Sequence, residues 1–221
     1  IKNNGGFSET YALQSNSPAI DTAISESCPE TDQREMPRPV DGNGDSLLGC
    51  DMGAFELQPY TLSTNTIGDG EINLNPSQPD YALLQQVTLS TVANDGWTFT
   101  GWSGDASGTD DPLTIEIQGD TNITTNFTQN EYTLTIDVSP ESSGSVDINP
   151  AQTTYHYGDQ VTLTPSANPG WTLSAWSGDA TGSNNPLTIE IKGNTSIVAN
   201  FTQDEYTLSV AVSPVGSGSV D

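Results

Sequence analysis

The chain has 221 residues and a one-sided charge, since 29 Asp and Glu stand against 4 Lys and Arg and give a formal net charge of −25. Such a surface repels phosphate backbones and anionic lipids, which argues against nucleic-acid binding and against acidic membranes. No stretch approaches the roughly 18 apolar residues of a membrane span, so we expect no membrane insertion. Four Trp, seven Tyr and five Phe predict a folded chain despite the charge.

Residues 1–57 differ in composition from the rest of the chain. They hold both cysteines and three of the four basic residues, and they lack tryptophan. Three short motifs stand out: Asp32-Gln33-Arg34, Pro37-Arg38-Pro39 and Asp51-Met52-Gly53-Ala54-Phe55-Glu56. The series resembles the closing coils of secreted bacterial right-handed β-helix proteins of the choice-of-anchor Q type. The resemblance implies a β-helix C-terminal cap, with most of the β-helix upstream of Ile1. Glu35 departs from the pattern, which has glycine there.

Cys28 and Cys50 are the only cysteines and lie 22 residues apart in a chain that looks extracellular. In an oxidising compartment this pair predicts a disulfide that ties down the cap loop. Closing a loop of that size stabilises a fold by roughly 3 kcal/mol on the chain-entropy model. The alternative is two unpaired core residues. A zinc site is disfavoured because the single histidine, His156, lies in another part of the chain.

The acidic loop 41–45 is the best candidate for a metal site. Oxygen ligands at alternating positions, with glycines that allow a tight turn, are typical of calcium-binding loops. We therefore expect calcium to be bound by Asp41, Asn43 and Asp45, with Asp51, or alternatively Asp32, as a further carboxylate ligand. The pattern lacks the central glycine and the bidentate glutamate of an EF-hand loop. The alternative is an acidic, solvated turn.

From residue 58 onward the chain repeats itself at an interval of about 74 residues, which makes each copy large enough to be a small domain. Trp97–Ala106 returns as Trp171–Ala180, and Pro112–Ile117 returns unchanged as Pro186–Ile191. We expect the chain to be part of a longer protein. The predicted divisions are the cap at 1–57, module 1 at 58–129, module 2 at 130–203 and the start of a third copy at 204–221.

Both modules are predicted to consist of β-strands, because alternating and β-branched segments recur and Gly and Pro are too frequent for long helices. One hairpin is expected between the first two strands, where the copies differ in length. A second is expected between Leu113–Ile117 and Ile123–Phe127 around a Gly-Asp turn. The predicted fold class is all-β, with the end of a right-handed parallel β-helix followed by tandem small antiparallel β modules.

The order of short motifs within each copy carries a family resemblance. It runs Tyr-Thr-Leu, Gly-Ser-Val, Asn-Pro, Tyr-x-Tyr-Gly, Val-Thr-Leu, Gly-Trp-Thr, Trp-Ser-Gly-Asp, Pro-Leu-Thr-Ile and Ala-Asn-Phe. This order resembles the divergent internalin-B-type B-repeat over residues 60–221. The family implies stalk, adhesion or interaction modules of bacterial secreted and surface proteins, not enzymes. Module 1 departs from the pattern at Tyr81–Leu84, where module 2 has Tyr155–Gly158, so we expect different contacts there.

Two tryptophans recur at one spacing in both modules, and two interpretations are open. A small module needs large aromatic side chains for its core. Rings exposed at the surface would instead stack on sugars. We favour the core and keep glycan binding as the alternative for these residues: Trp97, Trp102, Trp171 and Trp176.

No constellation in the sequence indicates catalysis. Asp105 with Glu116, and their counterparts in module 2, resemble a glycosidase carboxylate pair only in residue type. Every module would then carry the same pair. His156 has no counterpart in module 1, and there is no nucleophile elbow, P-loop or dinucleotide fingerprint. We therefore predict that the chain is not an enzyme and has no catalytic residue.

The leading hypothesis is a non-catalytic stalk, adhesion or display segment of a large bacterial secreted or cell-surface protein. Its partner would be an extracellular protein or a glycan. The alternative is an accessory glycan-binding segment of a secreted polysaccharide-degrading enzyme, whose active site would lie in the upstream β-helix. Exposed tryptophan rings favour the alternative, and buried rings favour the leading hypothesis.

Overall fold

The computed structural model describes residues 3–14, 17–24, 27–42, 47–211, 213–214 and 218. Over these residues the regular secondary structure is all β, with twelve strands and no α-helix. The described residues accordingly contain no helix long and apolar enough to cross a membrane. The chain divides into two compact units, Ile1–Gln129 and Asn130–Asp221. The first unit holds the N-terminal segment and module 1, and the second holds module 2 and the start of the third copy.

Each module is built from six strands. Those of module 1 are β1 (Leu62–Ile67), β2 (Gly70–Asn75), β3 (Gln86–Ala93), β4 (Trp97–Gly104), β5 (Leu113–Glu116) and β6 (Thr121–Gln129). Those of module 2 are β7 (Leu134–Ser139), β8 (Gly144–Asn149), β9 (Gln160–Ala167), β10 (Trp171–Gly178), β11 (Leu187–Glu190) and β12 (Thr195–Gln203).

The six strands form two three-stranded sheets in each module. In module 1 the strand orders are β1-β6-β4 and β2-β3-β5, and module 2 repeats them as β7-β12-β10 and β8-β9-β11. The first strand of each module runs parallel to the last, β1 with β6 and β7 with β12. The remaining pairs are antiparallel. The modules are therefore mixed rather than purely antiparallel, which corrects that part of the predicted fold class.

Both predicted hairpins are wrong. β1 and β2 lie in different sheets, and so do β5 and β6. The bend between β5 and β6 crosses from one sheet to the other, and its Asp120 carboxylate accepts hydrogen bonds from the N–H and hydroxyl of Thr61 at 2.9 and 3.1 Å. Asn194 accepts the equivalent bonds from Thr133 at 3.0 and 3.2 Å. The side chain after the bend glycine thus fixes the entry to the parallel pair instead of closing a hairpin.

One hydrophobic core fills each module. Trp102 and Trp176 are 4 % and 2 % exposed, and both belong to these cores. Their indole N–H groups donate to the backbone carbonyls of Asp110 and Asn184 at 2.8 Å. Because a buried indole needs a hydrogen-bond acceptor, this arrangement satisfies the ring without exposing it. These two rings offer no face for stacking on a sugar.

The N-terminal segment contains isolated antiparallel bridges, such as Ala23 with Cys50 and Val40 with Gly49. In the described part of residues 1–57 there are no stacked parallel strands of a β-helix. Its small core consists of Ile20, Phe55 and Leu57 together with Ala82 of module 1.

This shared core explains why the two modules differ at one loop. Ala82 and Leu83 pack against the N-terminal segment, whereas module 2 has His156 and Tyr157 at these positions. The next residue, Leu84, has a φ of 67°, while its counterpart Gly158 has a φ of 87°. A left-handed backbone costs a residue other than glycine roughly 1–2 kcal/mol. Module 1 therefore carries local strain in the loop that packs against the N-terminal segment.

We predict that Trp176→Ala lowers the stability of module 2 by roughly 3–5 kcal/mol, because it leaves a cavity in the core. It also removes the hydrogen bond to the Asn184 carbonyl. Differential scanning calorimetry of the full chain measures the effect. Thr135→Ala, at an exposed position of β7, serves as the control and should change stability by less than about 0.5 kcal/mol. An unchanged melting temperature in Trp176→Ala would contradict the core assignment.

Candidate functional site

A cluster of buried charges lies in the N-terminal segment and joins the motifs that carry its family resemblance. Arg34 donates from Nε and Nη2 to Oδ2 of Asp32 at 2.9 and 2.7 Å. Arg38 donates from Nε to Oε2 of Glu56 at 2.7 Å. The four side chains are at most 5 % exposed. With the neighbouring buried carboxylate they form the N-terminal ion cluster, defined as Asp32, Arg34, Arg38, Asp51 and Glu56.

The carboxylates of this cluster also bind backbone N–H groups. Asp32 accepts from Arg34 and Met36 at 2.7 and 3.1 Å, so the 32–36 turn is wrapped around its side chain. Asp32 also accepts from the Glu56 N–H at 3.0 Å. The Glu56 carboxylate in turn accepts from Val40 at 3.0 Å. Buried polar groups need partners, and in a segment with little regular secondary structure the carboxylates supply them.

Asp51, predicted to bind calcium, is 1 % exposed. Its two carboxylate oxygens accept hydrogen bonds from the N–H groups of Asp21 and Leu57 at 2.9 and 2.5 Å. Its backbone N–H donates to Glu56 at 2.9 Å. In this structure the side chain therefore holds the backbone of two separate stretches.

The other three predicted calcium ligands are only partly described. Asn43 and Asp45 lie outside the described residues. Asp41 lines a cleft of 410 Å³ that also involves Asp80 and Gln85 of module 1. Within the described residues, no group of three or more His, Cys, Asp or Glu side chains is placed to hold a metal. Calcium binding therefore stays a prediction.

Cys28 and Cys50 form the disulfide that the sequence predicts. Cys50 is buried, and its backbone bridges Ala23. Because Asp51 follows directly, the disulfide fixes the loop at Cys28 to the edge of the N-terminal ion cluster.

Burial and hydrogen bonding act differently on the two buried aspartates. Burial alone would raise the pKa of Asp32, but hydrogen bonds from the Glu56 N–H and from Arg34 outweigh it and hold the pKa below its usual value. For Asp51, burial raises the pKa, and the nearby charges of Glu56 and Asp21 add to this effect. The hydrogen bonds from Leu57 and Asp21 oppose the rise without cancelling it. Ionised Asp32 therefore stabilises the fold, whereas ionisation of Asp51 costs stability.

Trp97 and Trp171 differ from the two core tryptophans because they are partly exposed. Trp171 stands at the start of β10 and lines a groove of 280 Å³. The other lining residues are Pro165, Ala167, Thr172, Leu173, Ser183, Asn185 and Phe201. Sequence spacing did not separate the two kinds of tryptophan, since both recur at the same interval.

The remaining polar candidates support the local fold. The Asp105 carboxylate accepts the Asn122 N–H at 2.7 Å, and Asp179 accepts the Ser196 N–H at the same distance. Each thereby fixes the end of one strand to the start of the last strand of its module. The His156 imidazole lies 4.0 Å from Asp159, whose carboxylate also accepts the His156 backbone N–H.

The φ of Glu35 explains why the resemblance places glycine at this position. Its φ is 68°, in the left-handed region that favours glycine, and its N–H donates to the Asp32 carbonyl. We predict that Glu35→Gly raises stability by about 0.5–1 kcal/mol. Glu35→Ala removes the same side chain but keeps a Cβ, so it should not stabilise. Calorimetry on the full chain measures both, and equal melting temperatures would contradict the strain.

We predict that Asp32→Asn destabilises the N-terminal segment by roughly 3–5 kcal/mol, because it leaves Arg34 buried without its charge partner. The contribution of Asp32 is fully present above its unfolded pKa of about 3.9. It is lost as the pH falls through the lower pKa of the folded state.

Amide hydrogen exchange over residues 32–57 measures this loss of stability. Tryptophan fluorescence cannot follow it, because the segment contains no tryptophan. Glu30→Gln, which neutralises an exposed carboxylate in the same segment, is the control. Faster exchange in both variants, or in neither, would contradict a specific role for Asp32.

Comparison with known families assigns the repeated part of the chain. The model of the divergent InlB B-repeat domain matches residues 60–131 and 133–205. These ranges contain both six-strand modules, with β1 to β6 in the first and β7 to β12 in the second. No curated protein and no solved structure matches the chain significantly. Since the two matches cover well over half of the sequence, the chain belongs to the divergent InlB B-repeat domain family.

Proposed function

We propose that the chain is a non-catalytic stalk, adhesion or display segment of a large bacterial secreted or cell-surface protein. The observation that carries the proposal is the tandem pair of B-repeats, in which both copies have the same strand order and the same register of the parallel pair. Each copy has its own core, so each is a structural unit that can be repeated to extend a chain. B-repeat domains occur in bacterial surface proteins, which supports an extracellular setting.

The polar side chains shared by the two modules support a structural role. Asn126 donates its amide to the Gly101 carbonyl and to the Ser103 hydroxyl at 3.1 and 3.0 Å. Asn200 makes the equivalent bonds to Ala175 and Ser177 at 3.2 and 2.8 Å. Like Asp105 and Asp179, these side chains are engaged in holding strands together. The repeated chemistry thus serves the fold, and function is left to the outer surfaces.

For the N-terminal segment we propose the C-terminal cap of a right-handed β-helix. In support, the motifs behind the resemblance converge on one buried cluster. The Arg34 guanidinium, paired with Asp32, also lies 3.6 Å from the centre of the Phe55 ring. A motif whose residues bind one another is under structural constraint, as expected for a cap that ends a stack of coils.

The proposed location is tested on the bacteria that make the protein. Antibodies raised against residues 58–203 should label intact cells, or recover the protein from the medium, without lysis. An antibody against a cytoplasmic protein, which labels only lysed cells, is the control. Labelling that requires lysis would overturn the proposal.

A second candidate function is an accessory glycan-binding segment of a secreted polysaccharide-degrading enzyme. One observation favours it: Trp171 is partly exposed and lines a groove instead of being enclosed in the core. In this case catalysis would lie upstream, in the proposed β-helix.

We also propose calcium binding at the loop that begins at Asp41. The prediction is a higher melting temperature of the full chain in millimolar calcium, because a ligand that binds only the folded state stabilises it. Asp41→Asn combined with Asp45→Asn should remove the rise, whereas Asp105→Asn, in module 1, should keep it. A rise that persists in the double variant would place the ion elsewhere, and no rise in the natural sequence would exclude the site.

A further inference from the structure

The groove beside Trp171 lacks two hydrogen bonds that are present at the same place in module 1. There, Thr91 donates its N–H to the Asp111 carboxylate at 3.1 Å, and its hydroxyl donates to the other oxygen at 2.5 Å. The two bonds join the end of β3 to the segment before β5. The counterparts in module 2 are Pro165 and Asn185. Proline has no N–H and no hydroxyl, so neither bond can form in module 2.

The exchange also removes a charge. Every side chain that lines the groove of module 2 is uncharged, in a chain whose net charge is −25. The corresponding position in module 1 carries the Asp111 carboxylate. The acidic protein repels anions, and no lining side chain carries a charge that would pair with a cation, so the complement of the groove is an uncharged ligand. Asp204, whose carboxylate accepts the Thr172 hydroxyl at 2.7 Å, lies outside the lining.

Two polar groups stand at the rim of this groove. Ser183 and Asn185 are exposed, and across the described residues neither side chain makes a hydrogen bond to the protein. They are therefore available to a ligand. Trp171 supplies the apolar wall, together with Leu173 and Phe201. A concave site with an aromatic wall and a few polar groups is typical of small-molecule recognition.

We propose that this groove of module 2 binds a neutral β-linked glucan. All ring substituents of β-glucose are equatorial, so each face of the sugar presents axial C–H groups that can pack on the Trp171 indole. The ring hydroxyls then meet the Asn185 amide and the Ser183 hydroxyl. The volume of 280 Å³ is just below the lower end of sites for whole drug-sized ligands, which suits one unit of a chain that continues outside.

The inference deepens the second candidate function and rests on it for its biological setting. Binding by the purified chain does not depend on cellular location or on an upstream catalytic domain. Failure of the binding test would therefore refute the groove and leave the surface-protein proposal intact. Failure of the cell-labelling test would do the reverse.

The experiment titrates the full chain with cellohexaose and laminarihexaose, up to about 10 mM, followed by isothermal calorimetry and by NMR of the four indole N–H groups. We expect one site per chain and a shift of the Trp171 indole signal. An oligogalacturonate of equal length is the charge control and should bind at least about tenfold more weakly, because the acidic protein repels it. No binding of either glucan, or equal binding of the oligogalacturonate, would overturn the proposal.

Two pairs of variants locate the site. Asn185→Asp restores the charge found in module 1 and replaces the amide N–H donor by a carboxylate, which can only accept. It should weaken binding about three- to tenfold, the effect of losing the hydrogen bond that the amide donates to the sugar. Asn184→Asp adds the same charge at the neighbouring exposed position, outside the groove lining, and should bind as before. Trp171→Ala should abolish binding, whereas Trp97→Ala, its counterpart in module 1, should preserve it.

Trp171 also packs against the core of module 2, so the fold of its variant is checked separately. The Trp176 indole N–H, bonded inside that core, reports whether the module remains folded. If Trp171→Ala unfolds the module, Asn185→Asp alone decides. Unchanged affinity in Asn185→Asp, or equal losses in the Trp171 and Trp97 variants, would refute the groove.

Discussion

The parallel pairing of the first strand with the last is the constraint on which each module depends. Thr61, just before β1, is bound by a carboxylate 59 positions further along the chain. Bringing such distant segments together carries a loop-closure cost that only the complete module can offset. The bend residues Asp120 and Asn194 hold the first strand in place beside the last strand, because each binds both donors of a threonine at the entry to the first strand. A module built in this way gains its sheet and its core together.

The sequence predicts the strands and the repeat, but it does not predict their pairing. Hairpin signals are local, and a Gly-Asp dipeptide specifies that the chain bends without specifying which strand the next segment will join. The alternation of side chains between the two faces of a strand is also interrupted inside β4, where the register shifts between Phe99 and Gly101. The irregularity places Phe99 and Trp102, three residues apart, in edge-to-face contact at 5.3 Å. The shift places Trp102 on the strand face that Trp97 and Phe99 share. There Trp102 is enclosed in the core, whereas Trp97, at the first residue of the strand, stays partly exposed, a distinction that spacing alone cannot make.

In the N-terminal segment the sequence identified the important residues and left their roles open. The disulfide followed from composition and the expected compartment, and the structure contains it. Asp51 looked like a cation ligand because oxygen ligands and hydrogen-bond acceptors are the same atoms. The structure shows its oxygens accepting two backbone N–H groups. The glycine that the resemblance led us to expect at Glu35 has a physical basis in its φ of 68°. A departure from a family pattern can thus mark strain before the structure is known.

The two modules show how a repeat can change its surface without changing its fold. The carboxylate that joins the fourth strand to the sixth, the buried indole and the parallel pair recur in both. Two differences between the copies lie outside these three features. The loop at Ala82 and Leu83 packs on the N-terminal segment, and its counterpart carries different side chains. Replacement of Thr91 and Asp111 by Pro165 and Asn185 removes a brace and a charge from the edge of a groove. Because the pairing and core are preserved, each copy can acquire its own contacts at little cost to stability.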